Sequence, residues 1–217
     1  MTKIIYQLLL FSFVGFLIVS CKKEIVPSDT STSDTTEVYA GVHDTSFHHF
    51  EFAVPHGITI VWDAQNLYGT GFDSLDIDLN GTYDLFITLH VLNPDSLHLL
   101  TGMPNPFPSC ALTTENGLEV AFYTETFYIG LGQTATATFV DRLDFNERID
   151  VISDWKTTCT MWSENPGGAG TPPFGDWYSA SSENYIATKI NGGMNGWIKI
   201  DASDPKDPKF VSYATQH

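Results

Sequence analysis

The chain has 217 residues, with 26 acidic against 10 basic side chains and a formal net charge of −16. This balance excludes nucleic-acid partners, which need clustered Lys and Arg against their phosphates, and it excludes a polybasic grip on anionic lipid. It suits a soluble surface in a cation-rich medium, and hard ions such as calcium that seek oxygen ligands.

In chain order, Met1-Thr2-Lys3 gives a short positive start, and Ile4 to Val19 is almost wholly apolar. A positive start, an apolar run and a small residue before a cut site describe a secretory signal peptide. The run is short for a membrane-spanning helix, which needs about 20 apolar residues. Ile18-Val19-Ser20-Cys21 resembles a bacterial lipobox, which implies cleavage after residue 20, a lipid on Cys21 and attachment to a membrane through it. Lys22 after the cysteine resembles outer-membrane sorting, and "SCKKE" resembles the start of Bacteroidota lipoproteins, some of which reach the cell surface. The expected location is the outer membrane, on its surface or its periplasmic face. Residues 21–37 are rich in Ser, Thr and Asp and cannot bury a face, so they read as a lipidated, disordered linker.

Residues 38–217 are long enough for one domain with a sizeable core. Apolar residues alternate with polar ones over Ser74–Leu79, along Tyr83, Leu85, Ile87 and Leu89, and over Leu118–Tyr123 and Thr134–Val140. The same pattern returns over Trp155–Trp162, Tyr185–Ile190 and Trp197–Ile200. Period-two runs rich in β-branched and aromatic residues predict strands. Asn-Gly pairs at 80–81, 116–117, 191–192 and 195–196 predict tight turns, because Asn-Gly supplies the positive φ values a hairpin needs. No helical period persists beyond residue 20. The expected fold is all-β, a single antiparallel β-sandwich of jelly-roll or immunoglobulin-like type. Two stretches read as loops, the proline-rich Thr101–Ser109 and the long Ser163–Asn184, which carries Phe174, Trp177 and Tyr178.

The segment Asp76 to Asp84, "DIDLNGTYD", offers an oxygen ligand at every second residue. Counted from Asp76, the ligands of a calcium loop would be Asp78 at position 3, Asn80 at 5, the Thr82 carbonyl at 7 and Asp84 at 9, with Gly81 making the sharp turn. Position 12 is Ile87 where an EF-hand needs a bidentate Glu, so this is no EF-hand. The pattern resembles calcium loops lodged between strands in integrin-type propeller repeats. An unliganded hairpin whose Asn and Asp side chains bond their own backbone is the other reading. Crowded carboxylates without a cation repel one another, which favours calcium in a structural role.

The hairpin motif, together with Tyr185-Ile186-Ala187-Thr188-Lys189 and Gly196-Trp197-Ile198-Lys199-Ile200, is similar to a loose group of secreted and lipid-anchored Bacteroidota proteins. That group joins a D-x-D-x-N-G-x-x-D hairpin to a closing Y-I-G … G-W-I-K strand pair; Ala187 stands where Gly is usual. The resemblance implies a sandwich-like extracellular domain and lends no activity.

With Cys21 assigned to lipid, Cys110 and Cys159 remain, and outside the cytoplasm two thiols are expected to pair. His43, His48, His49 and His56 crowd near Asp44 and Glu51, but adjacent residues of a strand face opposite ways, which separates His48 from His49. Glu115, Glu119, Glu125, Asp141, Asp144, Glu147 and Asp150 offer too many choices to name a catalytic pair. Phe174, Trp177 and Tyr178 are candidates for stacking on a sugar ring, against the plainer reading that Trp177 plugs its loop onto the core. The sequence therefore reads as a calcium-stabilised, non-catalytic binding or structural module of the envelope. A glycan-binding or glycan-cleaving accessory protein is the alternative, with a glycan or an envelope protein as partner.

Overall fold

In a computed structural model of the chain, residues 37–63, 68–92, 108–130, 133–164, 173–180 and 182–217 are described. The expected signal peptide, Cys21 and the expected linker up to residue 36 lie outside the described residues, as do residues 101–107 and 165–172 of the two predicted loops. The rest is all-β. The strands are β1 (Phe47–Gly57), β2 (Ile60–Trp62), β3 (Tyr68–Leu75), β4 (Leu85–Leu92), β5 (Ser109–Thr114) and β6 (Leu118–Gly130). They continue as β7 (Gln133–Val140), β8 (Trp155–Lys156), β9 (Thr158–Ser163), β10 (Glu183–Ile190), β11 (Met194–Asp201) and β12 (Lys209–Gln216). A single 3-10 turn, Asp176–Ser179, is the one helical element among the described residues.

The strands lie in the order β1-β12-β11-β10-β6-β7-β9-β5-β4-β3-β2, with β8 beside β6. Every pairing is antiparallel except β7 against β9, which run parallel at Phe139 and Thr160. The two ends of this order, β1 and β2, are consecutive in sequence, so the sheet must curl until its ends approach. His56 Nε2 at the end of β1 stands 2.7 Å from Asp73 Oδ2 of β3, and Ile58, between β1 and β2, is buried in the main core. The result is one sheet curled into a half-barrel.

Strand β4 shows the pattern that folds this half. Leu85, Ile87, Leu89 and Val91 are buried while Phe86, Thr88, His90 and Leu92 are half-exposed. Each buried Leu or Ile contributes about 1.5–3 kcal/mol relative to exposure. Across the curl the same core takes Ile186, Ile198, Ile200 and Phe210 from β10 to β12. Those three strands are covered on the opposite face too, where Ala187, Trp197 and Ala214 lie under Val38, Ala40, Leu143 and Ile149. Burial on both faces erases the alternation, and for that reason β12 carries no period-two signal.

Strand β1 was not read from the sequence either. It is an edge strand, exposed over most of its length, with Pro55 and a register shift between Glu51 and His56. Proline and bulges are usual on edges, where they discourage pairing with another chain.

Two expectations need correction. Asn191-Gly192 turns the chain between β10 and β11, with φ of 48° and 74°, but Asn195-Gly196 lies inside β11. A Cβ on Gly196 would fall 2.4 Å from the Ala214 carbonyl oxygen, so the glycine lets β12 approach closely. The Cys110–Cys159 disulfide is also absent, and both residues are buried free thiols. Leu112, not Cys110, stands opposite Cys159 across β5 and β9. Diagonal neighbours in a sheet sit about 7–8 Å apart, beyond the ordinary span of a disulfide. The Cys110 thiol instead contacts Met161 Sδ at 3.5 Å.

Candidate metal centre in the β3–β4 connection

The connection begins where β3 ends at Leu75 and closes when the Asp84 N–H donates to the Leu75 carbonyl at 2.9 Å. Between them Leu79 takes φ of 59° and Gly81 φ of 91°, two left-handed residues that reverse the chain within a few steps. Ile77 is buried in the core and pins the start of the loop, so Asp76 and Asp78 on either side of it turn outward.

The acids organise the loop's own backbone. Asp76 accepts from the N–H groups of Asn80 at 3.1 Å and Gly81 at 2.8 Å. Asp78 accepts from the Asn80 N–H at 3.1 Å and its side-chain amide at 2.9 Å. The Asn80 side-chain oxygen accepts from both the N–H and the hydroxyl of Thr82. Asn80 and Thr82 are exposed and bonded to each other.

Asp84 differs from its companions. It is only 2% exposed, and its Oδ2 accepts from the Ile77 N–H at 2.8 Å and the Asp78 N–H at 3.4 Å. Asn116, at the tip of the β5–β6 turn, donates to Asp84 Oδ1 at 3.3 Å and to the Tyr83 carbonyl at 2.9 Å. From β12, the Tyr213 hydroxyl donates to the Asp76 carbonyl at 3.1 Å. Burial, together with the nearby Asp78 charge and against the bonds it accepts, raises the Asp84 carboxyl above its ordinary value. Burial and the charges of Asp76 and Asp84 push the Tyr213 phenol up to about 12.

Asp76, Asp78 and Asp84 each place a carboxylate oxygen so that the three atoms lie within 4.8 Å of one another. This trio could hold a metal ion. Each carboxylate has about four lone-pair sites, so the backbone bonds leave acceptor capacity for a cation. The donors are oxygens throughout, which suits a hard ion rather than a thiophilic one. Spacing alone gave the three acids; Asn116 and Tyr213, which steady the loop from distant strands, carried no local signal.

The other candidates separate. Trp177 is fully buried, with Nε1 donating to the Val140 carbonyl at 3.1 Å, so it is core and unavailable for stacking on a ligand. Phe174 stacks on Phe127 with centroids 4.0 Å apart, and Tyr178 sets its edge against Trp162 at 5.3 Å. Phe174 and Tyr178 do line a cavity of about 460 Å³, with Glu125 and Asp176 among its walls. The four histidines meet other groups in separate places and do not gather at one point. His43 stacks on His49 at 3.8 Å, His48 meets His217 at 4.4 Å and His56 faces Asp73. Comparison with protein-family models, with curated proteins and with solved structures returns no match.

Proposed function

We propose that this chain is a secreted all-β module stabilised by calcium and held on the outer membrane by a lipid on Cys21. It acts as a non-catalytic binding or structural element of the envelope. The observation that carries the metal reading is the convergence of Asp76, Asp78 and Asp84 oxygens within 4.8 Å. Three like charges so close destabilise the folded state unless a cation sits among them. A formal charge of −16 enriches divalent cations near the surface. The tether and the lipid rest on the residues before 38, and the likeness to Bacteroidota lipoproteins rests on the motifs quoted above. The β10–β12 half of the sheet, facing β3–β5 across a shared core, supports treating the curl as the two layers of a jelly-roll or immunoglobulin-like sandwich.

Thermal unfolding with and without calcium tests this reading. A ligand that binds only the folded state at a hundred times its Kd adds about 2.7 kcal/mol. Calcium should raise the melting temperature of the native chain, and Asp76→Ala with Asp78→Ala should remove that response. An unchanged response in the double variant refutes the assignment. A second reading, glycan binding or cleavage, draws on the cavity that brings Phe174 and Tyr178 beside Glu125 and Asp176. Hydrolysis of a glycan, abolished by Glu125→Gln or Asp176→Asn, would establish it.

A further inference from the structure

Strands β2, β3, β4, β5 and β9 bury one face in the core and leave the other open. The outward positions follow from the register. Phe72 pairs with Thr88, Thr88 with Ala111 and Ala111 with Thr160, while Phe86 pairs with Thr113 and Thr113 with Thr158. Along this face Val61, Tyr68 and Phe72 are exposed at 71%, 40% and 59%. Phe86 joins Phe72, with ring centroids 5.9 Å apart and planes 26° from parallel. Tyr83, itself 58% exposed, reaches over from the metal loop to meet Phe86 at 6.5 Å. Hydroxyls lie between the aromatics, and Thr70 Oγ1 stands 3.4 Å from His90 Nδ1.

No outward position of these five strands holds Asp, Glu, Lys or Arg, in a chain with 26 acidic and 10 basic side chains. Strand faces that serve only to meet water usually carry charge, and a large exposed apolar patch rimmed by polar groups usually marks an interaction site. We propose that this face is a docking platform for a neutral polysaccharide. A sugar ring offers apolar C–H faces to aromatic side chains and hydroxyls to threonines. A charge-free platform takes such a chain without desolvating a carboxylate, which would be costly. An anionic polymer would meet a repulsive field from the rest of the molecule. Five strands at 4.7–4.9 Å spacing span about 19 Å, room for several sugar units in a row. The inference rests on the sheet face and on neither the metal nor the cavity beside Tyr178.

Affinity electrophoresis tests it, with the chain from residue 22 onward run through gels holding soluble neutral glucans, mannans or xylans, an acidic polyuronate, or no polymer. At least one neutral polymer should retard the protein, equally in EDTA. Phe72→Ala and Tyr83→Ala should each weaken that binding about tenfold or more, which is 1.4 kcal/mol. Phe145→Ala, exposed beside Tyr185 on another part of the surface, should leave it unchanged. Exposed substitutions of this kind usually alter stability by less than about 0.5 kcal/mol, so melting temperature separates lost binding from lost fold. No retardation by any neutral polymer overturns the proposal. So does retardation by the polyuronate alone, retardation insensitive to Phe72→Ala and Tyr83→Ala, or a dimer in light scattering that Phe72→Ala dissociates. Binding that persists in EDTA while calcium leaves the melting temperature untouched would refute the metal reading and uphold this one.

Discussion

Asp84 is where folding and the proposed metal binding meet, and two substitutions there pull them apart. Asp84→Ala removes the acceptor of the Ile77 N–H, a buried bond of 2.8 Å, and leaves that donor unpaired. Hydrogen bonds to charged groups contribute about 1.5–3 kcal/mol and an orphaned buried donor costs about 1–3. The Asp78 N–H bond at 3.4 Å and the Asn116 bond at 3.3 Å are longer and add less. A loss of about 3 kcal/mol is expected in urea unfolding followed by tryptophan fluorescence. Asp84→Asn keeps a carbonyl oxygen for the Ile77 N–H, so in EDTA it should cost about 1 kcal/mol or less.

The two proteins should also differ with pH. Burial raises the Asp84 carboxyl, so the folded state binds its proton more tightly than the unfolded state does. The stabilisation that Asp84 gives when protonated is present at low pH and is lost as pH rises through its raised folded value. The native chain in EDTA should therefore lose stability relative to Asp84→Asn between about pH 4 and neutrality. If Asp84→Asn costs as much as Asp84→Ala, or if the gap between native and Asn proteins is flat over that range, the assignment of Asp84 as a buried, strained anchor is wrong.

Three further outcomes follow from the core. Trp177→Ala should destabilise by about 3–5 kcal/mol, because it empties a fully buried site and orphans the Val140 carbonyl; a loss under about 1 kcal/mol in the same urea assay would return Trp177 to the ligand surface. Gly196→Ala should cost about 1–3 kcal/mol, since its Cβ meets the Ala214 carbonyl oxygen, and a variant as stable as the native chain would place that contact elsewhere. Reductant should not change the melting temperature, and alkylation in denaturant should find both Cys110 and Cys159 free. In the folded chain both thiols should resist modification, since burial pushes Cys110 up strongly and Cys159 to about 11; a mass two daltons short of the dithiol form would show a bridge.

How far the sequence reveals this molecule depends on what covers each strand. Strand β4 faces core on one side and solvent on the other, and its Leu-Phe-Ile-Thr-Leu alternation is plain to read. Strand β12 is buried on both sides, so Phe210 to Thr215 presents no period. Asn195-Gly196 has the composition of a turn, but the close approach of Ala214 uses the glycine for space instead of for φ. The clustered acids of the β3–β4 connection were legible because their arrangement is local, set by spacing within nine residues. Asn116, Tyr213 and the burial of Asp84 were not, since they depend on strands thirty or more residues away. The expected cysteine pairing followed from chemistry and compartment, and the two-residue register offset between Cys110 and Cys159 could not be seen without the sheet. Gly175, at φ of 88°, turns the chain so that Trp177 drops back over Val140, a fold-back that loop composition does not encode.

Isothermal titration calorimetry of calcium into the metal-free native chain, repeated with Asp76→Ala and Asp78→Ala combined, tests the central claim most directly. The account requires one saturable site per chain, with a Kd in the range of about 10⁻⁴ to 10⁻³ M typical of extracellular modules, and no saturable heat in the variant. Featureless heats in the native protein, or the same isotherm in both proteins, would contradict it.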